Sequence, residues 1–173
     1  MDYSLFEFIN NLAGKFFWLD TIGIFFASYF QYVLAAGTVL FMLVKKDKLA
    51  RWRNFKITAL AFFAAVVSRY ILCQILKVLV ARPRPPEAFK VTQLIPFDSF
   101  GSFPSGHMSF FFALSIVVFF YNRKASIILF AGSFLMGLAR IFTGIHFPSD
   151  ILGGMVLGVL VGWGSWRIFS KIV

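Results

Sequence analysis

The sequence predicts an all-α fold: an integral membrane bundle of five transmembrane helices with an N-terminal amphipathic helix lying in the membrane interface. Three observations lead there. Of 173 residues, 60% are hydrophobic and only 14% are charged, whereas about a quarter of the residues in a soluble domain carry charge. Five apolar stretches of roughly 17 to 25 residues are each long enough to cross a bilayer at about 1.5 Å rise per residue. The charges that remain are sorted along the chain in the manner of a membrane topology rather than spread over a surface.

In residues 1–18, Leu5, Phe8, Ile9, Leu12 and Phe16 recur at helical spacing with Ser4, Glu7, Asn11 and Lys15 among them, the pattern of a helix lying in the interface. No basic residue precedes Lys15 and no small-residue cleavage site follows, so this stretch is expected to be retained rather than removed as a signal peptide. The spans are predicted at residues 21–44, 57–80, 105–121, 125–145 and 148–169. Gly154, Gly158 and Gly162 put a small-residue face on the last span, suited to close packing inside the bundle in preference to dimerisation. With no repeat and no linker, residues 1–173 read as a single domain. The single Cys73 excludes an intrachain disulfide and a cysteine-based metal site.

The net charge of +10 would point to nucleic acid in a soluble protein. Here topology accounts for it. Lys45, Lys46, Lys48, Arg51, Arg53 and Lys56, then Arg123, Lys124, Arg167 and Lys171, all fall on one side of a five-span chain, with only Asp47 opposing them. The other side is neutral, Lys15, Lys77, Arg82, Arg84, Lys90 and Arg140 balancing Asp2, Glu7, Asp20, Glu87, Asp98 and Asp150. The basic side is therefore expected in the cytoplasm and segments 81–104 and 140–150 outside, with no nucleic-acid partner.

Three clusters on that outer side carry the candidate chemistry. Lys77 to Pro86 ends the second span, Pro104-Ser105-Gly106-His107 opens the third, and Arg140 to Asp150 joins the fourth to the fifth. Several fixed cations, a glycine-containing helix start with free backbone N–H groups, and the chain's two histidines suit a phosphate group. His146 and Asp150 are four residues apart across a helix start with Pro148 in its first turn, so the carboxylate can hold the imidazole in one tautomer with the other nitrogen free to attack. Charges that merely anchor helix ends explain any one of these cations, but poorly explain three clusters with both histidines. No outer set of carboxylates or spare histidines is present to ligate a metal, and no cofactor is called for.

The spacings Lys77-x6-Arg84-Pro85, Pro104-Ser105-Gly106-His107 and Arg140-x5-His146-x3-Asp150 resemble the tripartite signature of the type 2 phosphatidic acid phosphatases, membrane lipid phosphatases related to vanadium haloperoxidases. The resemblance implies a metal-independent hydrolase in which His146 forms a phosphohistidine, Asp150 orients it, and His107 protonates the leaving group and then helps activate water. It implies that Lys77, Arg84, Ser105, Gly106 and Arg140 bind the phosphate. Ala139 departs from the family pattern, which usually has Ser before the third-motif Arg. The small undecaprenyl diphosphate phosphatases often carry Asp at the Gly106 position and lose the first Lys, so retention of Lys77 and Gly106 tilts the expectation towards a lipid A 1-phosphatase. Phosphatidylglycerophosphate and undecaprenyl diphosphate phosphatases are the alternatives.

The substrate is expected to be a lipid phosphate reaching the site sideways from the bilayer, at the outer face of the cytoplasmic (inner) membrane. A soluble haloperoxidase is excluded by a chain that is mostly membrane span, and a nonenzymatic lipid carrier would need a polar path through the bilayer, towards which only Arg69 contributes. Arg69 lies about 12 Å deeper than Lys77 along one helix and is open to a structural or a substrate role. Arg82 is expected to face solvent in preference to steering headgroups. Residues 83–103 mix prolines with Phe89, Leu94, Ile95, Phe97 and Phe100, and this stiffness and apolar surface suit a flap resting on the membrane and touching acyl chains, or equally a passive cover.

Overall fold

The computed structural model describes residues 1–43, 47–97 and 100–171, and among these every regular element is helical. The N-terminal helix α1 (Asp2–Asn10) is shorter than predicted, because Gly14 turns left-handed at φ 77° and a new helix starts at Phe17. From there α2 (Phe17–Ile24), a π-helical turn (Phe25–Tyr29) and α3 (Phe30–Leu43) run on as one rod. A second rod comprises α4 (Lys48–Val66), a π-helical turn (Val67–Leu72) and α5 (Cys73–Val80). Asp47 caps it by accepting the Ala50 N–H at 2.8 Å. The short α6 (Pro85–Ala88) then precedes α7 (Gly106–Phe119), α8 (Arg123–Phe142) and α9 (Pro148–Phe169).

Among the described residues, four helical stretches are long and apolar enough to cross a membrane: Phe17–Leu40, Lys48–Ala88, Arg123–Phe142 and Pro148–Phe169. The predicted third span is realised as the 14 residues of α7, about 21 Å at 1.5 Å per residue. That helix is apolar all round because it is the centre of the bundle, packed against α4, α8 and α9. Its Met108, Leu114, Val117 and Val118 meet Ala61, Ala64 and Ala65 of α4, Met136 of α8 and Ile151 of α9.

The glycine face of α9 makes the closest of these contacts. A Cβ at Gly154 would come within 2.5 Å of the Ser105 carbonyl oxygen, and one at Gly158 within 2.6 Å of the Ser109 carbonyl oxygen. The stripe thus serves packing within the bundle, as its sequence suggested. On the opposite side of α9, Leu152, Val156 and Leu160 are exposed at four-residue spacing, an apolar face for lipid.

Both ends of the bundle have a distinct character. Phe120, just after α7, stacks on Trp166 near the end of α9 at 3.8 Å, and Phe63 of α4 meets Phe169. These contacts gather the basic α7–α8 turn, the α9 terminus and the basic first half of α4 towards one end. The three motif segments meet at the other.

Candidate active site

The first motif is steered by a reversal of the chain. Ala81 ends α5 in the left-handed region at φ 45°, its N–H donating to the Lys77 carbonyl at 2.9 Å. The chain then turns through Arg82-Pro83-Arg84 into α6, where the Glu87 carboxylate accepts the Arg84 N–H at 2.6 Å. Arg84 is buried, donating from Nη1 to the Ile145 carbonyl at 3.1 Å and from Nη2 to the Phe100 carbonyl at 3.3 Å.

Backbone hydrogen bonds stitch the other two motifs to the first. The Ser102 N–H donates to the Arg82 carbonyl at 2.8 Å and its hydroxyl to the Pro83 carbonyl at 3.1 Å, just ahead of the cis Phe103–Pro104 bond. The Ser105 N–H donates to the Asp150 carbonyl at 2.9 Å, which places the start of α7 against the start of α9. In the third motif, Arg140 in the last turn of α8 donates to the Ala27 carbonyl at 2.7 Å. Gly144 then reverses the chain at φ 82°, and a Cβ there would collide with the Thr92 carbonyl oxygen.

His146 and Asp150 form the tightest part of the site, 1% and 0% exposed. Asp150 Oδ2 accepts the Phe147 N–H at 2.8 Å, closing the N-terminus of α9, and lies 3.3 Å from His146 Nδ1. With Nδ1–H donated to the carboxylate, Nε2 presents its lone pair towards Arg84, whose Nη1 is 3.3 Å away. Burial pushes the His146 pKa down to about 3, with the nearby Arg140 and Arg84 charges adding to the effect and the Asp150 hydrogen bond opposing it. The imidazole is therefore neutral at physiological pH.

A cavity of about 370 Å³ opens beside this pair, within the usual size range of ligand sites. Lys77, Arg84, Gly106, His107, Arg140 and His146 all line it, so six of the eight residues singled out from the sequence converge there. Asp150 stands behind His146. Ser105 is buried outside the lining, its hydroxyl lacking a hydrogen-bond partner among the described residues. Ala139 sits in a small apolar cluster with Ala27, Ile95 and Ile145, so the missing hydroxyl leaves no unmet polar group at that position. Among the described residues, no group of three or more His, Cys, Asp or Glu side chains is placed to hold a metal ion.

Arg82 corrects the sequence reading. Rather than facing solvent, it packs over the Phe147 ring and bridges two carboxylates, donating to Asp150 Oδ1 at 2.8 Å and Asp2 Oδ2 at 2.6 Å. Ser149 joins them, its backbone N–H donating to Asp2 Oδ1 at 2.9 Å. Burial of the Asp2 carboxyl tends to raise its pKa, but the hydrogen bonds from Arg82 and Ser149 outweigh this and hold it below its ordinary value. Helix α1 is thereby tied to the back of the site. Asn10 adds a second tie through Thr92 and the Phe142 carbonyl.

Three further residues at the cavity wall or behind it were missed or left open by the sequence. Gln31 donates its amide to the Ser28 carbonyl at 2.8 Å, which turns Oε1 towards His107 Nε2 at 2.9 Å. Gln74 and Arg69 line the cavity itself. The available signal for both glutamines was an amide side chain inside an apolar span. The segment expected as a flap is divided: Ile95 joins the core, Pro96 and Phe97 line the cavity, and Phe100 is exposed at its margin. Asp98 and Ser99 within it lie outside the described residues.

The chain resembles known proteins along nearly its whole length. A bacitracin transport permease protein, BcrC of Bacillus licheniformis, is 32% identical over 161 residues, covering 92% of this chain and 76% of that protein. The undecaprenyl-diphosphatase BcrC of Bacillus subtilis is 30% identical over 173 residues, covering 100% of this chain and 86% of its own. The solved structure of Aquifex aeolicus LpxE superposes with a TM-score of 0.76 at 28% identity, covering 96% of this chain and 94% of that one. Residues 58–173, which contain all three motifs, match the profile of the PAP2 superfamily, and the chain belongs to that family.

Proposed function

We propose that the protein is a membrane lipid phosphatase that removes the terminal phosphate of an envelope lipid through a phosphohistidine on His146. The observation that carries this reading is the neutral His146 ring, held through Nδ1 by Asp150 and offering Nε2 to a cavity lined by Lys77, Arg84 and Arg140. Phosphate-monoester hydrolysis is among the slowest uncatalysed reactions, and its catalysis rests on positioning and fixed positive charge. The incoming phosphate takes over Arg84, which in the resting site faces Nε2. His146 Nε2 then bonds to phosphorus as the bond to the lipid oxygen breaks, and His107 gives that oxygen a proton. Water, deprotonated by His107, hydrolyses the N–P bond and releases inorganic phosphate. The Gly106 N–H assists as a phosphate donor, Ser105 lies buried outside the cavity lining, and no step calls for a metal.

The same reading places one domain across the membrane in five passes, α7 being the short central one. Exposed Leu5, Phe8 and Leu12 keep α1 at the interface while buried Phe6 and Asn10 dock it on the bundle. The basic end faces the cytoplasm and the cavity opens at the outer face of the cytoplasmic membrane. Undecaprenyl diphosphate is the preferred substrate, supported by the relative of that activity aligned along the entire chain. Lipid A 1-phosphate is the second reading, favoured by the similarity to a lipid A 1-phosphatase of Rhizobium etli, 34% identical over 111 residues, and by the retained Lys77 and Gly106.

The test is phosphate release by the purified protein in detergent with a chelator present, from undecaprenyl diphosphate, lipid A and phosphatidylglycerophosphate. Release from at least one, abolished in a folded His146→Ala variant, is expected. Near-normal release by that variant, or activity recovered only on adding a divalent metal, would overturn the mechanism.

A further inference from the structure

Arg69 lies outside the three motifs, yet its side chain reaches the same cavity as Lys77 and His107. In a regular α-helix a residue eight positions before Lys77 would sit about 80° away around the axis. The π-helical turn Val67–Leu72 changes that, since its i→i+5 bonding absorbs an extra residue. Arg69 then falls as if seven positions before Lys77, about 20° from its face. The guanidinium stem lies over Gly106, with Nε 3.9 Å from where a Cβ would stand, directly beside His107. Apart from a contact over the Tyr70 ring, no hydrogen bond or ion pair among the described residues engages it.

The position of this cation matches one part of a substrate. Lys77, Arg84 and Arg140 already surround the phosphate that His146 attacks. His107 protonates the oxygen that leaves, so whatever carries that oxygen lies beside His107 and hence beside Arg69. Arg69 is also about 12 Å deeper along its helix than Lys77, on the side from which a lipid tail must come. In a diphosphate lipid, the phosphate between the scissile bond and the tail meets both requirements. A monophosphate lipid has no charged group there.

We propose that Arg69 is a specificity residue forming a second phosphate subsite, which holds the phosphate retained on the lipid and selects diphosphate over monophosphate substrates. This rests on the phosphatase reading above. As the bridging P–O bond breaks, its electron pair goes to the oxygen on the retained phosphate. That oxygen takes the His107 proton while Arg69 stabilises the charge developing on the group. The products are a lipid monophosphate, no longer able to span both subsites, and a phosphohistidine hydrolysed by water.

The test compares farnesyl diphosphate with farnesyl monophosphate, which share a tail, using the full chain in detergent. In Arg69→Gln, kcat/KM for the diphosphate should fall about tenfold to a hundredfold, the value of a charge-assisted hydrogen bond, while the monophosphate changes less than about threefold. Arg69→Lys should recover part of the loss. Inorganic pyrophosphate should inhibit the wild type more strongly than inorganic phosphate, and that preference should vanish in Arg69→Gln. Equal losses on both substrates, or no loss on the diphosphate, would overturn the subsite and leave the phosphatase reading standing. A wild type that hydrolyses neither lipid, with pyrophosphate binding no tighter than phosphate, would overturn both.

Discussion

Replacing Arg82 with Ala should impair turnover although Arg82 does not line the cavity beside His146. Asp150 is fully buried, and its Oδ1 receives Arg82 at 2.8 Å and the Ser102 hydroxyl at 3.4 Å. Without Arg82, that oxygen keeps only the long Ser102 contact, and the carboxylate, left to the Phe147 N–H at 2.8 Å, holds the His146 Nδ1–H less firmly. A hydrogen bond to a charged group contributes about 1.5–3 kcal/mol. The Arg82 side chain is 27% exposed, so the effect should lie near the lower bound, about tenfold in kcat and at most about a hundredfold. KM should change little, because the phosphate ligands are untouched. The assay is steady-state phosphate release in detergent, with circular dichroism to confirm folding. Asp2→Asn should show a smaller loss, and the double variant should be no worse than Arg82→Ala, since Asp2 acts through Arg82. Wild-type kcat in a folded Arg82→Ala protein, or an effect confined to KM, would refute the reasoning.

Three further outcomes follow from the same geometry. Gln31→Leu removes the acceptor that holds His107 Nε2–H, so it should slow substrates with poor leaving groups by about tenfold. Aryl phosphates, which need no proton on leaving, should be nearly unaffected. His146 stays neutral in the fold down to about pH 3, whereas in the unfolded chain it gains a proton below about 6.5. The unfolded state therefore binds more protons between those values, and the melting temperature should fall from pH 7 towards pH 4, less steeply in His146→Gln. Finally, single cysteines at Glu87 and Asp47 in a Cys73→Ala background should report sidedness in intact spheroplasts. An impermeant thiol reagent should label position 87, and position 47 only after lysis; the reverse pattern would move the site to the cytoplasm.

The sequence made the polar ends of the helices legible because ionisable residues are rare in this chain and cluster where they are used. Spacing paired His146 with Asp150, the family resemblance supplied the roles expected of His107 and Arg140, and the glycine stripe of α9 declared its packing role. What spacing could not show was which distant polar residue meets which. Gln31 and His107 are 76 positions apart, and Arg82 and Asp2 are 80 apart. Each pair exists only once the rods have docked. Nor does an apolar run announce a π-helical turn, so the rotation that brings Arg69 onto the face of Lys77 was hidden. The length of the third span was misjudged for a related reason: a helix buried by protein on all sides is as apolar as one facing lipid.

The central claim is a covalent phosphoenzyme on His146, and rapid-quench labelling tests it most directly. Wild-type protein mixed with a lipid diphosphate labelled in its terminal phosphate should yield, within the first turnover, a protein-bound phosphate that is labile to acid and stable to base. The label should map to the peptide containing His146 and be absent in His146→Ala. It should persist longer in His107→Ala when an activated aryl phosphate is the donor, because the water step then lacks its base. First-turnover product formation with no labelled protein at any quench time, or label on a residue other than His146, would contradict the account.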